Sequence, residues 1–283
     1  MYELFICLPG GADRAGKKGV KGGIAEVMAY TIALAGKGGT GKTTLTGLLI
    51  DYLSKAGKGP ILAVDADANA NLNEVLGVEI EKTLGELREN VKNAEYDPET
   101  PIPPTMTKQD YLSATFADAI TEEDEYDLIV MGRTQGEGCY CFVNGLLKTQ
   151  LKRFSNNYKY VVVDNEAGME HLSRGLLPGV DMILIISDPS RRGIQAAARI
   201  QELIGELKMR VSAVKLIVNR APAGELNPGV SEEIAKHDFD LAGVLPADDN
   251  IYEFDSEGRP TVELPDDSPA KKAFFEMLNR IIV

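Results

Sequence analysis

The sequence predicts an α/β protein whose central sheet is mostly parallel and carries helices on both faces. Apolar runs of strand length lack the alternation that is typical of a half-exposed strand, and stretches of helical pattern separate them. A glycine-rich segment joins the first of these runs directly to a helix, as in the βα units of open α/β sheets. Connections between the parallel strands should be right-handed.

The predicted strands are short, and most are separated by enough chain for a helix. They cover residues 30–35, 61–65, 128–131, 160–164, 182–187 and 215–219. The clearest predicted helices cover residues 42–56, 143–154 and 194–207. We expect a loop or an insertion over the proline-containing residues 90–110, and we expect the amphipathic residues 270–283 to pack as a terminal helix.

Composition and charge restrict the possible partners. The 283 residues carry a formal net charge of −13. A chain this acidic lacks the positive surface that nucleic acids and anionic membranes attract, so we expect neither as a partner. The apolar runs are too short to span a bilayer. Three cysteines are too few for a disulfide scaffold, which favours a reducing cytoplasm.

The first 28 residues differ in composition from the rest of the chain. Residues 9–23 are rich in glycine and lysine and contain few large apolar side chains. We therefore expect residues 1–28 to be a disordered leader or the product of a misassigned start, since Met28 stands just before the first predicted strand. A single domain is expected over residues 29–283.

The segment between the first strand and the first helix matches the motif G-x-x-x-x-G-K-[ST]. Glycines allow backbone N–H groups to turn toward phosphate oxygens, and the following helix directs its positive end at the same oxygens. Lys42 should contact the β- and γ-phosphates, and the Thr43 hydroxyl should ligate Mg²⁺. The sequence thus predicts a P-loop NTPase that hydrolyses ATP. The expected ATP-binding residues of the loop are Gly36, Lys37, Gly38, Gly39, Thr40, Gly41, Lys42, Thr43 and Thr44.

Carboxylates end two of the predicted strands, at the edge where open α/β sheets bind ligands. Asp65 and Asp67 follow the strand at 61–65, and Asp164 ends the strand at 160–164. Asp65 could support Mg²⁺ indirectly. Helix capping is the alternative interpretation for Asp65 and for Asp67.

Two cysteines stand close together before the predicted helix at 143–154. Cys139 and Cys141 supply two thiols, whereas a closed soft-metal site needs four ligands. Two chains related by a two-fold axis could build an S₄ site. Thiolates suit Ni²⁺, Zn²⁺ or Cu⁺, and a position near a helix N-terminus favours the thiolate form. Two buried, inert cysteines are the alternative.

The order K-G-G-T-G-K-T-T from Lys37 onward resembles the deviant phosphate loop of the MinD/ArsA/nitrogenase-iron-protein class. In that class the extra lysine contacts phosphate across a dimer interface, so the resemblance implies that Lys37 joins two subunits through ATP. It also implies that Asp67 orients or activates the attacking water and that Asp164 holds a water ligand of Mg²⁺. Gly168 would belong to a switch segment that senses the γ-phosphate. A solvated loop lysine is the alternative for Lys37.

Three segments resemble a narrower family. The sequences MGRTQGEGCYCFVNGLLK, VVVDNEAGMEHLSRG and VNR are similar to those of the CooC-type nickel-insertion ATPases, which mature carbon monoxide dehydrogenase, and of relatives that mature acetyl-CoA synthase. The resemblance implies a homodimer held by ATP and by Ni²⁺ (or Zn²⁺) at the shared cysteines, with hydrolysis driving delivery of nickel to the client enzyme. It further implies that Asn219, with Arg220 beside it, reads adenine and that Pro246 and Asp248 border the base.

Two other functions stay open at this point. A MinD/ParA-type positioning ATPase would act as a regulator on a membrane or nucleoid and would need an amphipathic tail or a basic surface, and the net charge argues against the latter. An electron carrier like the nitrogenase iron protein would need a [4Fe–4S] cluster, which the one-residue spacing of the cysteines disfavours. Nickel and zinc are not distinguished, and the client enzyme is not identified.

Overall fold

The computed structural model describes residues 29–67, 69–93, 102–103, 105–132, 141–165, 179–207 and 209–282. Within those ranges, eight strands form one sheet in the order β3-β4-β2-β5-β1-β6-β7-β8. All pairings are parallel except that of β3 with β4, which confirms the predicted mostly parallel sheet. The strands are β1 (Tyr30–Gly36), β2 (Ile61–Ala66), β3 (Ile120–Glu122), β4 (Tyr126–Val130), β5 (Tyr160–Asn165), β6 (Val180–Ser187), β7 (Val211–Ala221) and β8 (Leu241–Pro246).

Nine α-helices are described, and most of them lie between two strands in the chain. They are α1 (Lys42–Lys55), α2 (Leu72–Leu76), α3 (Leu84–Asn93), α4 (Lys108–Thr115), α5 (Cys141–Ser155), α6 (Arg191–Glu206), α7 (Pro228–Lys236), α8 (Asp249–Glu257) and α9 (Pro269–Ile281). In this part of the chain, no helix combines the length and the apolar character needed to cross a membrane.

Two apolar clusters lie on opposite faces of the sheet. Ile32 and Ala33 are neighbours in β1, yet the first belongs to the cluster that holds the buried side chains of α1 and α9, and the second to the cluster around α4 and α6. Successive residues of a strand point to opposite faces, so both faces of the sheet are covered. This explains why the central strands read as unbroken apolar runs, and it confirms the predicted helices on both faces.

The predicted terminal helix is confirmed as α9, which buries Phe274, Met277 and Leu278 in the core. Two of the described strands, β3 and β8, were not predicted from the sequence. β3 is only three residues long, and β8 contains Gly243 and ends in proline, so neither gives a long apolar run. The loop expected over residues 90–110 was partly wrong, because α3 continues to its end at residue 93 and α4 begins at residue 108.

Candidate nucleotide-binding site

The glycine-rich loop connects β1 to α1 at the carboxyl edge of the sheet, and three of its four glycines are structurally required. A Cβ atom at Gly36 would lie 2.3 Å from the carbonyl oxygen of Ile186 in β6. Gly39 and Gly41 have φ angles of 79° and 90°, in the left-handed region that other residues rarely adopt. The loop therefore packs directly against the neighbouring strand and turns sharply into the helix.

The two lysines of the loop occupy different environments. Lys42 is buried, and its Nζ lies 3.5 Å from the carbonyl oxygen of Lys37. The Thr40 hydroxyl donates to the same carbonyl at 2.9 Å, which closes the turn. The residue Lys37 itself is exposed. This arrangement fits a Lys42 that acts inside the loop and a Lys37 that a second chain can reach.

Two buried carboxylates face the start of α1 from adjacent strands. Asp65 of β2 and Asp164 of β5 are register partners, and they are 0% and 1% exposed. Burial raises the pKa of Asp164 to about 7; the nearby Asp65 adds to this, while hydrogen bonds from Thr43 and Thr46 and the charge of Lys42 oppose it. The Thr46 hydroxyl lies 3.2 Å from Oδ1 of Asp164. Thr46 was not among the residues predicted from the sequence, although it stands one helical turn after Lys42.

The donor set around Asp164 fits Mg²⁺. The carboxylate and the Thr43 hydroxyl are hard oxygen donors that lie near each other, since Thr43 opposes the rise in the pKa of Asp164. A carboxylate this deeply buried also favours a nearby cation, because burial otherwise penalises its charged form. Thr43 and Asp164 are therefore the side chains that would hold the metal ion or its water ligands.

Asp65 is engaged with the backbone that follows β2. Its two oxygens accept hydrogen bonds from the backbone N–H groups of Asp67 at 2.9 Å and Leu72 at 3.0 Å. Burial raises the pKa of Asp65 to about 6, and these hydrogen bonds oppose the rise. This geometry favours the capping interpretation of Asp65. Asp67 is partly exposed and accepts a hydrogen bond from the N–H of Asn69 through Oδ1.

A cavity of about 430 Å³ lies beside the loop, between the end of β7, the start of α1 and the segment that connects β8 to α8. Its lining includes the predicted residues Thr44, Asn219, Arg220, Pro246 and Asp248. The lining also includes an aromatic residue that was not predicted from the sequence, Tyr252, which is 74% exposed and lies on the rim. An aromatic side chain soon after the Pro246–Asp248 segment was the available signal.

The polar groups of this cavity are tied to the surrounding backbone. Asn219 donates to the carbonyl of Thr40 at 2.9 Å, and Arg220 donates to the carbonyl of Gly39 at 3.1 Å. Asp248 caps α8 and also accepts hydrogen bonds from Ser268 and Ala270 at the start of α9. Burial alone would raise the pKa of Asp248, but these hydrogen bonds outweigh it and hold the pKa below its ordinary value.

The predicted soft-metal site falls on residues that the structure does not describe. Cys139 and Gly168 lie outside the described residues, and Cys141 begins α5 but its side chain is not described. Among the described residues, no group of three or more His, Cys, Asp and Glu side chains is arranged to hold a metal ion. The assignments of Cys139, Cys141 and Gly168 therefore stay predictions.

Comparison with known proteins agrees with the fold and the loop. A family model described as the CobQ/CobB/MinD/ParA nucleotide binding domain matches residues 31–262. An uncharacterized ATP-binding protein of Methanocaldococcus jannaschii is 42% identical over 253 residues, which cover 89% of this chain and 98% of that protein. The carbon monoxide dehydrogenase accessory protein CooC of Rhodospirillum rubrum is 33% identical over 247 residues, which cover 84% of this chain and 90% of that protein.

A solved structure shows the same fold. The septum site-determining protein MinD, complexed with Mg-ADP, from Pyrococcus horikoshii superposes with a TM-score of 0.65 at 22% identity, over 90% of this chain and 96% of that one. The family match and the strand–loop–helix context confirm the predicted P-loop fold and ATPase class. The chain belongs to the CobQ/CobB/MinD/ParA family of P-loop ATPases.

Proposed function

We propose that this chain is an ATP-dependent metallochaperone, which dimerises with ATP and metal and delivers nickel to carbon monoxide dehydrogenase or acetyl-CoA synthase. The observation that carries the proposal is the 33% identity to CooC over 90% of that protein's length, since CooC is named as an accessory protein of carbon monoxide dehydrogenase. The thiols of Cys139 and Cys141 support it, because thiolates suit a nickel cargo.

The phosphate-binding part of the proposal follows from the site. Buried Lys42 and the N-terminus of α1 would hold the β- and γ-phosphates, and Thr43 and Asp164 would hold Mg²⁺. When bound, Mg²⁺ neutralises charge that develops on the phosphate oxygens. Asp67 would orient the attacking water. Phosphoryl transfer depends on such positioning more than on covalent chemistry, so we assign these side chains positioning and electrostatic roles in hydrolysis.

Dimerisation would couple the nucleotide to the metal. Exposed Lys37 is available to contact the phosphates bound by a second chain, and ATP held by both chains favours the dimer over the monomer. A four-thiolate site would exist only in that dimer, since each chain supplies Cys139 and Cys141. Nucleotide and metal should therefore tighten each other's binding. Hydrolysis of ATP would then weaken both the contacts between the chains and the shared metal site.

The remaining parts of the proposal concern the surroundings. We place the protein in the cytoplasm, with residues 29–283 as one domain and with neither nucleic acid nor membrane as a partner. A MinD/ParA-type positioning ATPase is less favoured, because the apolar side of α9 is occupied by the core through Phe274 and Met277. Co-sedimentation with anionic vesicles in the presence of ATP would instead support that alternative.

The test is a Ni²⁺ titration with and without ATP, in which the mass of the complex is followed by native mass spectrometry. The wild type should bind one Ni²⁺ per two chains, and ATP should tighten the metal. The double variant Cys139→Ala/Cys141→Ala should lose nickel and the nickel-dependent dimer, whereas the matched control Cys7→Ala should behave as wild type. A double variant that binds nickel and dimerises like the wild type would refute the shared site. A parallel titration with Zn²⁺ would show which metal is preferred.

A further inference from the structure

We propose that Asn219 and Arg220 position the phosphate loop from its outer side, so that the end of β7 orients the phosphate-binding N–H groups even when no base is bound. This inference concerns the ATP site and does not depend on the nickel proposal. It also differs from the role expected for Asn219, which was to read adenine.

The contacts between the two segments are direct. The Asn219 amide nitrogen donates to the Thr40 carbonyl at 2.9 Å, and Asn219 is only 5% exposed. Arg220 Nη1 donates to the neighbouring Gly39 carbonyl at 3.1 Å. A Cβ atom at Gly41 would lie 2.5 Å from the same Asn219 nitrogen. Two consecutive carbonyl groups of the loop are thus fixed by two consecutive side chains of β7.

These contacts set the direction of the loop N–H groups. In a planar trans peptide the C=O and the N–H point in opposite directions. Holding the Thr40 carbonyl on the side of Asn219 therefore turns the Gly41 N–H away from it, toward the inside of the loop. The peptide before it is oriented from both sides, because Arg220 holds its C=O and its Thr40 N–H donates to the Lys37 carbonyl across the turn, with an N···O distance of 3.4 Å. An inward N–H group, as at Gly41, is what a phosphate ligand requires.

The backbone of β7 is distorted where it meets the loop. Successive side chains of a regular strand point to opposite faces, so Asn219 and Arg220 could not both reach the same loop. The pairing of β7 with β8 is irregular between Val218 and Ala221, and Arg220 has a φ angle of 59°. Asn219 stabilises this conformation, because its Oδ1 accepts the Arg220 N–H at 3.0 Å. Left-handed backbone at a residue other than glycine is retained where the surroundings enforce it.

The experiment compares ATP with inorganic tripolyphosphate, which carries the phosphates without a base. Binding of each, with Mg²⁺, is measured by calorimetry on the full chain and on Asn219→Ala and Arg220→Ala. Loss of one loop contact should weaken both ligands by about five- to tenfold. The control Tyr252→Ala, on the rim of the cavity where the base is expected to bind, should weaken ATP but not tripolyphosphate.

A further variant separates positioning from stability. Arg220→Gly removes the side-chain contact but relieves the left-handed strain, so its unfolding temperature should not fall while its tripolyphosphate affinity does. The proposal fails if the Asn219 and Arg220 variants bind tripolyphosphate within about twofold of wild type while ATP binding falls, since the pair would then serve the base alone. A wild-type chain that binds no tripolyphosphate would refute it as well, because the loop is proposed to be ordered without a base.

Discussion

Asp164 should make the nucleotide-free protein less stable at alkaline pH. Its pKa is raised from 3.8 to about 7 by burial, so ionising it inside the fold costs about 4 kcal/mol, at about 1.36 kcal/mol for each pKa unit. The folded-state pKa lies above the unfolded value, so the cost is fully present above about pH 7 and disappears as the pH falls toward 3.8. At pH 5 the cost should be about 2 kcal/mol.

The substitution Asp164→Asn isolates this effect. An asparagine keeps an acceptor oxygen for the hydroxyl groups of Thr43 and Thr46 but cannot ionise. Urea unfolding without nucleotide should show the variant to be more stable than wild type by about 3–4 kcal/mol at pH 8. At pH 5 this advantage in the free energy of unfolding should be smaller by about 2 kcal/mol. A variant that is no more stable at pH 8, or whose advantage is the same at both pH values, would refute the reasoning.

Two controls make the experiment specific. Asp238→Asn changes the net charge equally at an exposed residue, where the φ angle of 51° is tolerated by asparagine, so its stability should show no comparable pH dependence. Mg²⁺ with ADP should stabilise wild type more than Asp164→Asn at pH 8, because the metal compensates the buried charge. Equal stabilisation of the two proteins would argue against a role of Asp164 in holding Mg²⁺.

Three further predictions concern the same site. Asp65→Asn should lower kcat about tenfold and leave the ADP dissociation constant within about twofold, because an amide keeps only one acceptor oxygen and would set its NH₂ group against the other of the two N–H groups that order the Asp67 segment; equal losses in both measurements would contradict this. Gly41→Ala should weaken ATP binding more than tenfold in calorimetry, since the new Cβ would lie 2.5 Å from Asn219 in left-handed backbone, and near-normal affinity would be unexpected. If the ring of Tyr252 stacks on the base, Tyr252→Ala should raise the KM for ATP about fivefold, whereas Tyr252→Phe should leave that KM unchanged.

The parts of the site that were predictable lie close together in the sequence. The run from Gly36 to Thr44 carries its chemistry in consecutive residues, and its strand–loop–helix setting can be read from the flanking apolar patterns. The parallel sheet was predictable for the same reason, since unbroken apolar strands need cover on both faces. Strand order was not predictable in this way. The register that places Asp65 beside Asp164 joins residues that are far apart in the chain, and only the sheet topology creates it.

The contacts that hold the phosphate loop in place were harder to predict, because they depend on a local distortion of β7. The tripeptide of Val218, Asn219 and Arg220 suggests base recognition when it is taken as a sequence motif. Its contacts with the Gly39 and Thr40 carbonyls exist because β7 departs from regular pairing just there. In a regular strand, successive side chains point to opposite faces, so only one of Asn219 and Arg220 could reach the loop. The second contact depends on the irregular backbone of β7, which a strand pattern does not predict.

Neighbouring strands fix parts of the phosphate loop, whereas another part of it is exposed. This difference bears on how ATP could join two chains. Gly36 is packed against β6 and the Gly39–Thr40 carbonyls are fixed by β7, whereas Lys37 is exposed. A fixed cradle binds phosphate without reorganisation, so little binding energy is lost in shaping it. An exposed lysine beside the cradle can then act on a second chain without disturbing its own. If ATP joins two chains as proposed, their association should need movement of side chains at the interface and not of the loop, so inorganic tripolyphosphate in the cradle should also favour the dimer.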